Sequence, residues 1–556
     1  MRIEKNVVIP VSDGTLLRAN VYRPEGNGQY PVIMAFGVYG KDVHFADAFK
    51  PQWETLTAIY PDIGENGSSG NYLRWETVDP ERWVPDGYVV IQVDARGTGM
   101  SPGYLDPLSP QETQDYYDAI EWAGIQSWSS GKVGLIGVSY YAINQWQVAA
   151  LQPPHLAAMI PWEGGCDHYR DWSHHGGIFS NTFLTGWWPR QILVNQHGNS
   201  RTTHMDQETG VRTTGEHLSD ESLRENRASY PEELFAHPLD DAWHQARTPD
   251  LSKIVVPFLS AGNWGGPGVH LRGNIEGFMR ASSKEKWLSM HIGTHFESFY
   301  LPEFVAMQKR FFDCFLKNED NGWKKTPPVR LAVRTAKSFQ LRYENAFPLA
   351  RTKYSPMHLN ASTLSMDASV SATASRIAYA PLSEGVSFST KPFEHETEVT
   401  GFITLKLWTS STSDDLDMFA TLRVFDEYDE EIIFTGAHES TPLTRGWLRA
   451  SHREINERAS SIGRVFRPHQ QIQKWIPNTI YPLEVEIWPT SFLFAKGHRL
   501  VLTLQGKDFE YPGVPGRILH NHPQEREPIG LNAINTIYTG PTHDSYLLLP
   551  VIKLSN

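Results

Sequence analysis

Residues 131–146 read GKVGLIGVSYYAINQW, and within them Ser139 has the surroundings of a nucleophile. Val133-Gly134-Leu135-Ile136 is a short apolar run suited to a buried strand. Gly137 ends the run, and Tyr140 to Leu151 follows with helical spacing. Strand, small residue, serine, helix is the order of a nucleophile elbow, whose tight turn holds the hydroxyl clear of a sheet edge. The chemistry would be acyl transfer. The helix dipole and the free N–H groups of the first turn favour the negative charge that develops on a carbonyl oxygen. A GxSxG pattern would put glycine at Tyr141, and the next small residue is Ala142. A serine between a strand and a helix also makes an ordinary N-cap, so the rest of the chain must supply base, acid and oxyanion donors.

The flanking elements form a β/α alternation. Residues 5–23 read as a hairpin turning at Asp13-Gly14. Apolar runs at 30–38, 87–94, 133–138, 156–162, 254–260 and 286–292 read as buried strands, with helices over 110–124, 140–151, 272–282 and 302–317. Such alternation implies a parallel sheet covered on both faces, with chemistry at the C-terminal strand ends. Tyr39, the Asp94–Ser101 loop, Ser139 and Glu163 all fall at such ends. Residues 43–82 read as a long polar and aromatic insertion. The rhythm breaks between 164 and 250, which reads as a helical insertion of lid type. From 329 onward short strand-like runs separated by turn residues imply an antiparallel sandwich, a jelly roll.

Composition narrows the function classes. The 556 residues are too many for one core. The net charge of -13 argues against nucleic acid or an anionic membrane as partner. With two cysteines, Cys166 and Cys314, no disulfide framework is implied. The first residues lack a signal-peptide core and no run of apolar residues is long enough to span a membrane, so a soluble cytoplasmic protein is expected. Homo-oligomerisation is left open.

Taken in order, DGTLLRANVYRP, VYGKD, VDARGTGMSPG, EWAGIQSWSSGKVGLIGVSYYA, FFDCFLK and IWPTSFLFAKGHRLVLTL resemble the cocaine esterase / X-Pro dipeptidyl-peptidase group of serine hydrolases, the CocE/NonD hydrolases. The resemblance runs nearly end to end. It implies an α/β-hydrolase core (1–163 and 251–320), a helical cap insertion (164–250) and a C-terminal all-β jelly roll (329–556). It also implies esterase, amidase or acylase chemistry on a small ester or amide, with no cofactor and no metal.

Within that frame Ser139 is the nucleophile, and the oxyanion donors are the backbone N–H of Tyr140 and the hydroxyl of Tyr39. The base should follow the last core strand, in chain order serine, acid, histidine. His295 fits, and His291 is a competitor inside the strand. The acid departs from the family pattern. Gly266 stands where the family has aspartate, and no carboxylate occurs between Asp250 and Glu276. Glu163 is the leading replacement. Asp167, Glu276, or a dyad oriented by Asn263 or a backbone carbonyl are the others, and a loss of hydrolase activity is a further reading. The bland role for Glu163 is a buried pair with an arginine such as Arg170. Asp94, Arg96 and Ser101 read as loop architecture, Cys166 as packing, and His174-His175 as lid surface or substrate lining. The expected aromatic lining is Tyr140, Tyr141, Trp162, Trp172, Trp187, Trp188, Trp264 and Phe296. An α-ammonium anchor for amino-ester or X-Pro substrates would need Glu163, Asp167 or Asp171. A carboxylesterase or acylase is therefore ranked first, ahead of an X-Pro peptidase or α-amino-acid ester hydrolase. Acyl transfer or cyclisation at the same serine, and a non-catalytic binding protein, are the remaining alternatives.

Overall fold

The computed structural model of the protein describes residues 1–437, 439–512, 519–520, 530 and 532–553. Its first half is built on ten strands: β1 (Arg2–Pro10), β2 (Leu16–Arg23), β3 (Tyr30–Gly37), β4 (Val89–Asp94), β5 (Ser129–Val138), β6 (Leu156–Trp162), β7 (Phe258–Asn263), β8 (Lys286–His291), β9 (Val329–Arg334) and β10 (Phe339–Glu344). Their spatial order is β1-β2-β4-β3-β5-β6-β7-β8-β9-β10. The pairs from β4 to β9 are parallel, and the two edges are antiparallel. Helices α1 (Pro110–Gly124), α2 (Tyr140–Ala149), α3 (Leu271–Arg280) and α4 (Pro302–Leu316) cover it. The central strands are buried on both faces, which is why they read as continuous apolar runs rather than alternating ones.

One strand sits later than its sequence suggests. The run 254–260 begins pairing only at Phe258. Pro257 has no N–H to give a ladder, and Val255 is 57% exposed. The segment 43–82 is also less irregular than expected, since Lys50–Ile59 forms a helix.

Between β6 and β7 the described elements are short: two π-helical turns (His168–Ser173, Trp188–Ile192), a two-residue hairpin (His174–His175 with Ile178–Phe179), and helices Asn181–Trp187, Asp220–Glu225, Tyr230–Ala236 and Ala242–Gln245. His174 and His175 are buried here, not on a surface. The ring of His174 stacks on Tyr169, and Nδ1 of His175 meets Nε2 of His520 at 2.8 Å.

Beyond Phe339–Glu344 the described chain is almost entirely strand. Thr397–Ser411 pairs antiparallel with Tyr481–Phe494 and with Tyr546–Ile552. Asp417–Phe425 pairs with Thr444–Arg449 and Arg499–Gln505. Alternate residues such as Leu405, Leu407, Leu422, Val485 and Leu502 fill a separate apolar core. The last expected residues of this half, 554–556, lie outside the described residues. Arginines bridge the two halves. Arg464 grips Glu276 of α3 with two bonds, and Arg272 bonds both Asp171 and Glu486.

Candidate active site

Ser139 is the residue between β5 and α2, and its backbone is strained: φ is 81°, a left-handed value that a serine adopts only when its surroundings impose it. The surroundings here are backbone bonds on both sides. Ser139 N–H donates to Trp162 O on β6, Val138 N–H donates to Glu76 O, and Ser139 O accepts from Ile143. The absent glycine at Tyr141 is compensated in the sheet. A Cβ on Gly37 would lie 2.5 Å from the Tyr141 ring, and one on Gly137 would lie 2.4 Å from its Cβ. Ala142 must be small because it packs on Gly164, where an added Cβ would be only 2.3 Å away. No side-chain cap bond is made by Ser139, so its hydroxyl is not serving as an N-cap.

The hydroxyl instead meets an imidazole. Ser139 Oγ and His270 Nε2 are 2.9 Å apart. His270 opens α3, and its ring stacks on that of His295, with centroids 4.5 Å apart and planes 13° from parallel. His295 follows β8 in the loop whose turn is made by Gly293 (φ 99°). Its Nδ1 is 2.7 Å from Glu163 Oε2, and its Nε2 is 2.9 Å from Glu76 Oε1. The other oxygen of Glu163 is 2.7 Å from His291 Nε2. Glu163 is therefore clamped between two imidazoles, while Arg170 pairs with Asp167 and Asp240 instead. Burial raises the Glu163 carboxyl, opposed by the bond from His291. Glu76 is fully enclosed, and desolvation lifts it to about 7 against the pull of His295.

The other candidate acids are committed elsewhere. Glu276 is held by Arg464, and Asp171 by Arg272 and two backbone N–H groups. Asn263 braces the His295 loop, donating to Gly293 O at 2.8 Å. An added Cβ on Gly266 would lie 3.9 Å from Glu163 Oε2, so the Glu163 carboxylate stands beside the space that an aspartate side chain at this position would enter.

Tyr39 sits just past the end of β3 and accepts a bond from Trp187 Nε1 at 3.0 Å, which orients its hydroxyl. Its loop is pinned by Asp94, which accepts from Lys41 N at 2.8 Å and Met100 N at 2.9 Å. Arg96 pairs with Asp13 and Asp115 rather than with Asp94, and Ser101 donates to Asp94 O. As the first residue of α2, Tyr140 has an N–H with no partner inside its helix. Its side chain points away from the serine and donates to Glu112.

A cavity of about 310 Å³ opens over Ser139, His270 and His295, walled by Tyr39, Phe49, Trp75, Trp172, Phe183 and Trp187. Of the aromatics expected to line it, Trp172 and Trp187 do. The others are placed elsewhere for identifiable reasons. Tyr140 is drawn to Glu112, and Tyr141 lies on the strand glycines. Trp162 stacks on His291, on the far side of Glu163. Trp188 packs on Tyr230, Trp264 donates to Ala332 O at 2.9 Å, and Phe296 packs on Trp75 and Phe45. Cys166 is buried and its thiol is pushed well up, so it is packing. Sequence reasoning passed over His270 and Glu76. His270 carried one usable signal, an ionisable side chain in the very loop that lacks its aspartate. Glu76 lies in an irregular segment with no motif.

Glu163, His270 and His295 bring three ligand-type atoms within 4.8 Å of one another. The two rings are stacked nearly parallel, so their in-plane lone pairs run side by side rather than converging on one ion. His295 is engaged on both nitrogens by carboxyl groups, an arrangement suited to moving protons.

The family model for X-Pro dipeptidyl-peptidase (S15 family) matches residues 13–297, and the one for the X-Pro dipeptidyl-peptidase C-terminal non-catalytic domain matches 321–548. A cocaine esterase of Rhodococcus sp. is 25% identical, with 99% of each chain covered. A putative serine esterase of Mycobacterium tuberculosis is 22% identical over 85% of this chain and 84% of its own. Among solved structures, a CocE/NonD family hydrolase of Staphylococcus aureus superposes with a TM-score of 0.85 at 35% identity, covering 99% of this chain and 94% of that one. No described helix is long and apolar enough to cross a membrane.

Proposed function

The chain belongs to the CocE/NonD, X-Pro dipeptidyl-peptidase-like (S15) family of hydrolases, and from that premise we propose that it cleaves small esters or amides through an acyl-enzyme on Ser139. The observation that carries this reading is Ser139 itself. A buried serine held at φ 81° at a strand–helix turn, with Oγ on an imidazole under an aromatic cavity, is a prepared nucleophile. Tyr140 N–H and Tyr39 O–H are the oxyanion donors, and Trp187 fixes the Tyr39 hydroxyl. His295 and Glu163 form the base–acid pair. Glu163 accepts from Nδ1–H, selects the tautomer and stabilises the imidazolium. Residues 1–163 and 251–320 are the α/β-hydrolase core, 164–250 the cap that supplies Trp172 and Trp187, and the β-rich C-terminal half a jelly roll.

The substrate is a small ester or amide that fits a cavity lined by aromatic side chains together with the polar Gln52, Arg190, Gln191 and Glu439. Glu163, Asp167 and Asp171 are each saturated by protein donors, which leaves none of them to anchor an α-ammonium. A carboxylesterase or acylase stays ahead of an X-Pro peptidase on that ground, with Glu76 and Glu439 the carboxyls that do border the cavity. The test is stoichiometric labelling with a fluorophosphonate. Wild type should take one label on Ser139 and Ser139→Ala none, and 4-nitrophenyl esters of short acids should turn over. A folded wild type that resists the label refutes the reading.

A further inference from the structure

Ser139 makes one side-chain hydrogen bond among the described residues, and its partner is His270 Nε2, not His295. The expected base, His295, directs its Nε2 to Glu76 Oε1 and its Nδ1 to Glu163 Oε2. Two imidazoles thus share one serine and one cavity, and they are stacked face to face with their centroids 4.5 Å apart. We propose that the two histidines divide the catalytic cycle: His270 is the base of the acylation half-reaction, and His295 with Glu163 is the base of the deacylation half-reaction. This rests on the reading of Ser139 as nucleophile.

The geometry supports each assignment. His270 is 3% exposed and stands at the N-terminus of a ten-residue helix. Its Nε2 lies 2.9 Å from Ser139 Oγ, the position from which a neutral ring accepts the Oγ–H. In acylation the Oγ–H proton passes to His270 Nε2 as the Oγ–C bond forms. It passes on to the leaving alcohol or amine as that C–O or C–N bond breaks.

Deacylation needs a base directed at water. With Nδ1–H given to Glu163, His295 Nε2 bears the lone pair, so in this tautomer Glu76 must be the donor in the Nε2···Oε1 contact. Glu76 is suited to that role. It is fully buried, and its second oxygen, Oε2, finds no hydrogen-bond partner among the described residues. When a water displaces Glu76 from Nε2, His295 takes a water proton as the water oxygen bonds the acyl carbon. It returns the proton to Oγ as the ester breaks. The stacking couples the halves. Two imidazoliums at this separation repel, so the two proton transfers are better made in separate half-reactions.

Single-turnover kinetics separates the halves. In His270→Gln, the fluorophosphonate labelling rate and the 4-nitrophenyl butyrate burst rate should fall at least a hundredfold. In His295→Gln, both should stay within tenfold of wild type, steady-state turnover should fall at least a hundredfold, and the butyryl-enzyme should accumulate by intact mass. His270→Gln acylating within tenfold of wild type overturns the proposal, as does His295→Gln losing its burst as fully as His270→Gln. If wild type itself takes no label, the nucleophile reading fails, and that result is distinct from either. Should the variants not fold, a crystal structure of phosphonylated wild type decides. His270 Nε2 beside the modified Oγ with His295 Nε2 facing water supports the division. His295 Nε2 on Oγ with His270 turned away overturns it.

Discussion

Replacing Glu163 by glutamine keeps the side-chain shape and removes one acceptor. Two imidazoles converge on this carboxylate, His291 Nε2 and His295 Nδ1, each at 2.7 Å. A carboxylate accepts from both, whereas a carboxamide accepts through its oxygen and presents N–H to the other ring. If the amide nitrogen faces His295, that ring must carry its proton on Nε2 and cannot act as a base toward the cavity. If it faces His291, His295 keeps its tautomer but loses the negative charge that stabilises its imidazolium. Removing the acid of a triad costs about 10⁴-fold in kcat, or roughly 5.5 kcal/mol at about 1.4 kcal/mol per tenfold. Stability should change less, because the loss is one charge-assisted bond, about 1–3 kcal/mol. The assay is kcat on 4-nitrophenyl butyrate beside thermal unfolding. A folded Glu163→Gln with kcat within tenfold of wild type refutes Glu163 as the acid.

The complementary variant is Glu163→Ala combined with Gly266→Asp. Gly266 is outside the left-handed region, and an added Cβ would sit 3.3 Å from Asn263 O, a contact needing only a small shift. Aspartate there rebuilds the arrangement that the family resemblance implies, and the double variant should be at least tenfold more active than Glu163→Ala alone. Equal activities would mean that charge beside His295 is not what the rate depends on.

Tyr39→Phe should lower kcat by about 10²–10³-fold with KM little changed, as expected for one oxyanion donor; a change in KM alone would make Tyr39 a lining residue. Glu112 is buried under Tyr140, and desolvation raises its carboxyl to about 8. Native Glu112 therefore holds a proton that the unfolded chain releases, and its contribution to stability falls as pH rises from about 4.5 to 8. Glu112→Gln should gain Tm relative to wild type across that window, and a flat difference from pH 5 to 9 would contradict this. His452 is held down to about 3 by burial, with Nδ1 at 3.1 Å from His469 Nδ1. Because its folded value lies below the unfolded value of about 6.5, its contribution is present above that pH and lost as pH falls through the window. In urea unfolding, His452→Gln should be less stable than wild type at pH 7.5, and the deficit should shrink at pH 5. A deficit equal at both pH values counts against a neutral buried His452.

Much of the scaffold was legible because burial writes itself into composition. The runs at 30–38, 87–94 and 156–162 are mostly apolar, and they form the interior strands Tyr30–Gly37, Val89–Asp94 and Leu156–Trp162. The helical spacing over 110–124 is α1, whose start Ser109 caps by accepting from Glu112 N. The cavity wall was less legible. Trp264 and Trp162 are large, aromatic and close in sequence to strand ends, yet each is directed inward by a partner, Ala332 O for one and the His291 ring for the other. Trp75 and Phe49, which do form the wall, come from a segment with no periodic pattern. Which way such an aromatic faces depends on partners far along the chain, 68 residues away for Trp264 and Ala332, and no local spacing records them.

The acid and the base illustrate the same limit from the chemical side. Gly266 could be read as a loss, but the gain at Glu163 depends on a backbone feature invisible in sequence. Glu163 has φ 47°, Ser139 has φ 81° and Glu76 has φ 64°, so three site residues sit in a conformation costing about 1–3 kcal/mol each. Each is held there by backbone bonds to a neighbouring segment: Glu163 N to Ala261 O, Ser139 N to Trp162 O, and Glu76 O to Val138 N. The sheet therefore imposes a strained turn that brings the Glu163 carboxylate next to the space over Gly266. If Glu163 at the end of β6 is the acid, as proposed, the loop after β7 no longer needs a carboxylate. Four residues past Gly266 it carries His270 to the nucleophile. On this argument the missing aspartate and the extra imidazole are one rearrangement, and the Gly266→Asp substitution should leave the dependence of acylation on His270 intact.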